Sequence, residues 1–206
     1  MTATLRRLIP AFALCLLSLG CVATRSTGPF VGPIPDDLRE TFRLDPFYQK
    51  QITVSQMPIV GSAHLSDAAL RESAWIVEHM CSGRDDILPA LGGANVRLAV
   101  MAWNEYTTDL PEQRNMKPKV YWDRRARGLG GAPVVSAAEE NVLCFPGDPY
   151  SQENILIHEF AHVIHGSAMR SLDRTFDSRL RASYNRAKNA GKWKGTYAVT
   201  NPGEYW

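Results

Sequence analysis

The stretch HEFAHVIHG, residues 158–166, constrains this chain more than any other. Ile155, Leu156, Phe160, Val163 and Ile164 recur at helical spacing, so Ser151 to Gly166 is predicted to form a helix with Gly166 as its stop. Three histidines and a glutamate sit within that apolar run. Burying such groups is costly unless something satisfies them. The competing account, core histidines with local partners, must find a partner for each ring.

His158 and His162 are four residues apart, so a helix projects both imidazoles from one side, close enough to grip one ion. Glu159 lies about 100° further around the helix. It can reach a water beside the ion without ligating the ion itself. This H-E-x-x-H pattern is the arrangement of zinc metallopeptidases. Zn2+ there would bring the pKa of a water to about 7, with Glu159 as general base for attack on a peptide carbonyl. His165 returns to the same face, but roughly 10 Å along the axis from His158. Three histidines on one straight helix do not surround an ion tetrahedrally, so His165 is read as a lining or supporting group.

A third ligand must come from elsewhere. Asp173, Asp177 and Glu204 are the downstream candidates, and the two aspartates also suit a helix cap.

KGTYAVTNPGEYW, residues 194–206, together with HEFAH resembles the zinc peptidase domain of anthrax lethal factor and the bacterial Pro-Pro endopeptidases. In that family a tyrosine precedes a ligand glutamate by seven residues, and the glutamate opens an E-aromatic-aromatic segment. Tyr197, Glu204, Tyr205 and Trp206 match that pattern, and the resemblance covers about residues 150–206. It implies a zincin-like fold, Glu204 as third zinc ligand, and Tyr197 as the phenol that stabilises the oxyanion or donates a proton. It also implies that RGLGG, residues 127–131, precedes or flanks an edge strand for an extended peptide. In the family the glutamate lies in a helix that continues beyond it. Here only Tyr205 and Trp206 follow, so Glu204 is expected to be poorly fixed, as in a chain cut short, and a C-terminal extension is expected to raise zinc affinity.

The remaining segments set the context. Residues 1–20 read as a signal peptide: Arg6 and Arg7, an apolar run from Leu8 to Leu19, then small residues. Ser18-Leu19-Gly20 before Cys21 resembles a lipobox, making Cys21 the candidate lipidation site; cleavage after Gly20 or Ala23 would instead release a secreted form. The chain is therefore expected to be exported, in the envelope or secreted, and to meet a membrane only through a lipid anchor. Two of the 23 basic residues lie in the first 20 positions, leaving 21 against 21 acidic ones. That balance gives no reason to expect nucleic acid as a partner; the expected partner is a peptide or protein substrate.

Residues 21–45 are rich in Pro, Gly, Ser and Thr and read as a tether, with a short helix at Asp36 to Arg43. The domain proper is then 46–206. Ser66 caps a helix ending at Ser82-Gly83. Residues 95–103 alternate as a half-buried strand, and NVLCF, 141–145, reads as another. Arg124, Arg125 and Arg127 read as a solvated edge. A further helix spans 176–190. Cys81 and Cys144 are either paired or free. The mixed order predicts an α+β domain, a small mixed sheet against helices that include the 151–166 helix. Three functions fit: an exported zinc metallopeptidase, a catalytically inactive zinc-binding lipoprotein, or a structural envelope protein with packed histidines.

Overall fold

The computed structural model describes residues 30–206. The expected signal peptide, residues 1–20, and the candidate lipidation site Cys21 lie outside the described residues. None of the helices described is long and apolar enough to cross a membrane.

The chain opens with β1 (Gly32–Pro33) and α1 (Asp36–Phe42). A hairpin, β2 (Lys50–Val54) and β3 (Met57–Gly61), leads to α2 (Asp67–Met80) and α3 (Ile87–Gly93). β4 (Arg97–Met101), α4 (Lys119–Arg125), β5 (Gly128–Leu129), β6 (Val134–Ala138) and α5 (Glu139–Val142) follow. Then come α6 (Ile155–Val163), a π-helical stretch Ile164–Met169, α7 (Arg170–Leu172), α8 (Phe176–Asn189) and α9 (Pro202–Tyr205).

The six strands form one mixed sheet in the order β1-β2-β3-β4-β6-β5. β4 lies parallel to both β3 and β6, while β5 runs antiparallel to β6 and closes one edge. All five residues of β4 are buried. Leu98 and Val100 pack among α2, α3 and α6, while Ala99 and Met101 face a second cluster with Ile34, Phe42, Leu44 and Tyr48. The half-buried reading of this strand is corrected accordingly. A central parallel strand covered on both faces shows an apolar run, and the alternation Val96, Leu98, Val100 marks only one of its two buried faces.

Ile34, Phe42 and Leu44 also correct the tether. Residues 32–44 add a strand to the sheet and cover its second face. The short helix expected there is present, one residue shorter at its end. NVLCF is not a strand. Its first residues end α5, because the chain has already delivered its strand at Val134–Ala138. Ser66 caps α2, its hydroxyl accepting from the Ala69 N–H at 3.2 Å. Cys81 and Cys144 are free thiols, the first buried and the second exposed. Burial pushes the Cys81 thiol up to about 11.

Candidate metal centre

Helix α6 starts at Asn154 rather than Ser151. The Asn154 side chain accepts from the Ile157 N–H at 3.1 Å. Asn141, from α5, then binds the same corner four ways, accepting from Ile155 N–H and donating to Asp148 and to the Tyr150 and Glu153 carbonyls. Leu156, Phe160 and Val163 face the sheet and are buried, each of the larger two adding about 1.5–3 kcal/mol of burial. That stripe leaves positions 158 and 162 pointing the other way. The helix does not stop at Gly166 but widens into π turns through Met169, a distortion that often accompanies functional sites.

His158 Nε2 and His162 Nε2 lie 3.2 Å apart. Glu204 Oε2 lies 3.5 Å from each. Both imidazoles are about 30% exposed and the Glu204 carboxylate 14%. Tetrahedral zinc, with ligand distances of about 2.0–2.1 Å, sets its ligand atoms roughly 3.3–3.4 Å apart. The three separations fit that edge length. Glu204 Oε2 is buried with no hydrogen-bond partner, an expensive state that a cation at the centre of the triangle would relieve.

Glu159 also brings an oxygen into a group with the histidines in which candidate ligand atoms lie within 4.8 Å of one another. Glu204 is the better ligand on geometry, being closer to both rings. Glu159 instead accepts from the Gly130 N–H. Burial raises the Glu159 carboxyl above the ordinary range, against the opposing pull of His158 and His162. Gly130 is needed there because a Cβ on it would sit 2.5 Å from Glu159 Oε2.

The expectation that Glu204 hangs loose is corrected. Asn201 Oδ1 accepts from the N–H groups of Gly203 and Glu204, at 2.8 and 3.1 Å, and Pro202 opens the turn. Tyr205 packs edge-on against Tyr184 of α8, with ring centroids 5.8 Å apart. A single turn too short to nucleate alone is held by tertiary contacts. The local signal for that turn is Asn-Pro, at N-cap and N1. Tyr197 is 65% exposed, with its ring centroid 6.2 Å from that of His158. The Tyr184 hydroxyl donates to the Val199 carbonyl at 2.7 Å, fixing the turn that carries Tyr197.

His165 stands apart from the triangle. Its Nε2 meets Asp177 Oδ1 at 2.6 Å, tying the end of the histidine helix to α8. Asp177 also meets Arg170. Asp173 is taken by Thr175 and Arg179. Neither aspartate faces the histidine pair.

β5 borders the site. Its Gly128 admits close packing, since a Cβ there would strike Ile155 and the Ser136 carbonyl. Arg127 at its foot is not solvated: it is buried, 2.5 Å from Glu140 and donating to the Glu105 carbonyl at 2.6 Å. The Thr107 and Tyr150 hydroxyls donate to the Ala126 and Arg125 carbonyls, which pins the strand's lead-in. A cleft of about 470 Å³ runs along this edge past His158, Glu159 and Tyr197, with Tyr121, Trp122 and Tyr150 as aromatic walls. Nothing in the local sequence marks those three as cleft residues. A neighbouring cavity of about 500 Å³ shares Arg127, but its carboxylates are engaged by the Ala102 N–H, Thr108, Arg127 and Asn141.

The fold so described is a mixed α+β domain with a six-stranded sheet and a His/Glu group on its helical side. It is similar to the solved structure of the Pro-Pro endopeptidase PPEP-2 from Paenibacillus alvei, with a TM-score of 0.50 and 18% sequence identity. The match covers 71% of this chain and 79% of that one. No protein-family model matches the chain, and no curated protein does.

Proposed function

We propose that the chain is an exported zinc metalloendopeptidase with a zincin-type site. The carrying observation is the triangle of His158, His162 and Glu204, with ligand-atom separations of 3.2 to 3.5 Å, beside Glu159 in an open cleft. The likeness to a Pro-Pro endopeptidase supports the same reading through the fold.

His158 and His162 Nε2 and Glu204 Oε2 would hold the ion. Zinc held there would supply Lewis-acid polarisation and a water acidic enough to lose its proton near neutral pH. Glu159 takes that proton. Its surroundings suit a general base, since the Gly130 N–H fixes the carboxylate and burial lifts its basicity. A peptide lies extended along β5, which offers main-chain groups on the edge of the sheet. Tyr197 turns its phenol to the scissile carbonyl oxygen and donates a hydrogen bond as charge grows there. The water oxygen would bond to the scissile carbonyl carbon, and as the C–N bond breaks Glu159 would return the proton to the leaving amine nitrogen.

The test is hydrolysis of a peptide library by the purified chain, with zinc content measured alongside. Glu159→Gln should keep the zinc and lose turnover, and chelation should remove both. Bound zinc with no turnover in the parent chain would favour the inactive zinc-binding reading. Absence of zinc uptake would end both. Export on a lipidated Cys21 is proposed with it; fatty-acid labelling that survives Cys21→Ala would refute that part.

A further inference from the structure

We infer that Trp206 is a positioning residue for Glu204, acting through the main chain of the helix that carries the histidines. The inference rests on the metal reading above.

The Trp206 indole N–H donates to the Ala161 carbonyl at 2.9 Å. Ala161 immediately precedes His162, and Trp206 lies two residues beyond Glu204. One side-chain-to-main-chain hydrogen bond therefore links two ligand-bearing segments within two residues of the ligands themselves. The carbonyl is placed to accept it. Helix α6 gives way to π turns at Ile164, whose N–H is shared between the Ala161 and Phe160 carbonyls. A carbonyl oxygen has two lone pairs, so a second donor is accommodated.

The rest of the turn passes this constraint on to Glu204. The Trp206 main-chain N–H closes onto the Pro202 carbonyl at 3.2 Å, and Tyr205 N–H closes onto Asn201 at 3.2 Å. Asn201 restrains the turn from its start, and Trp206 ties its end to α6. The indole also stands edge-on to Phe176, at 4.8 Å and 87°, and 6.4 Å from His165. A phenylalanine would keep that packing but has no donor. Without the tie, the Asn201 cap, the main-chain bonds of the turn, the Tyr205 contacts and the ring packing on Phe176 remain, but no hydrogen bond joins the end of the turn to α6 beside His162.

Trp206→Phe separates the two roles. Three quantities decide it: zinc affinity by competition with a chromophoric chelator, the visible absorption of the Co(II) form, and the melting of chelator-treated protein. The expected result is roughly a 2–10-fold loss of zinc affinity, as for one neutral hydrogen bond, altered Co(II) bands, and unchanged melting of the metal-free chain. In a Glu204→Gln background the same change should cost no further affinity. Unchanged affinity and Co(II) spectrum would overturn the inference, as would an equal loss in the Glu204→Gln background. Should Trp206→Phe fail to fold, a benzothienylalanine at 206, which keeps the shape and lacks the N–H, is measured in the same way with the same deciding outcomes. A parent chain that takes up neither ion overturns the metal site itself, a failure separable from failure at Trp206 alone.

Discussion

Helix α6 and the Tyr197–Trp206 segment reach the same point from different depths of the molecule. α6 presents His158 and His162 from a rigid base: Leu156 and Phe160 are fully buried, and Asn141 and Asn154 satisfy the helix start. The later segment presents Glu204 and Tyr197 from the surface. It is secured by an Asn201 cap, two bonds from Tyr184 and Trp206, and ring contacts with α8. Half the site is held by packing, which resists distortion, and half by a few directional contacts, which yield one at a time. Stability of the fold and completeness of the site are therefore separable quantities.

Four substitutions break or sharpen that contrast. The largest effect falls on the packed half. Phe160→Ala should cost about 3–5 kcal/mol of global stability, read by urea unfolding of the metal-free chain; a loss under about 1 kcal/mol would show that the helix is not core-anchored. Next, Tyr197→Phe should lower kcat roughly 10²–10³-fold with zinc content intact. A rise in KM alone would remove Tyr197 from the chemistry. Asn201→Ala should loosen only the docked half. Loss of the cap costs about 1 kcal/mol, which would appear as roughly a fivefold fall in zinc affinity without a change in metal-free melting. An equal drop in melting temperature would show that the two halves are one unit.

The smallest effect concerns the link between α6 and α8. The His165 hydrogen bond, chiefly, holds the Asp177 carboxyl below its ordinary 3.8, with help from Arg170. A carboxyl with a depressed folded-state pKa contributes stability above its unfolded value and loses it as pH falls through the folded one. The stability gap between the parent and Asp177→Asn should therefore be level near neutrality and close below about pH 4. Acid titration of both proteins reads it, and a gap that persists at the acid end would dismiss the contribution.

How much of this is legible in the sequence depends on how local each feature is. The His158–His162 spacing, the capped α2 helix and the 176–190 helix follow from periodicity and caps. Those forces act within a few residues, and the helices lie close to where the pattern puts them. Gly166 fails as a stop because packing carries the chain through it in π turns. Residues 32–44 look like a tether by composition, yet three apolar side chains suffice to seat them on the sheet. Arg127 looks solvated until Glu140, 13 residues away, supplies a buried partner.

By itself the sequence determined which side chains were available and that two imidazoles one turn apart would face the same way, since helical geometry depends on neighbours alone. Only the tertiary structure decided that Glu204 stands 3.5 Å from both rings, that Gly130 lies against Glu159, and that the indole of Trp206 meets Ala161. Those meetings join residues 29 to 46 positions apart. No local propensity encodes such distances; they arise when burial of the sheet and its helices brings the segments to one place.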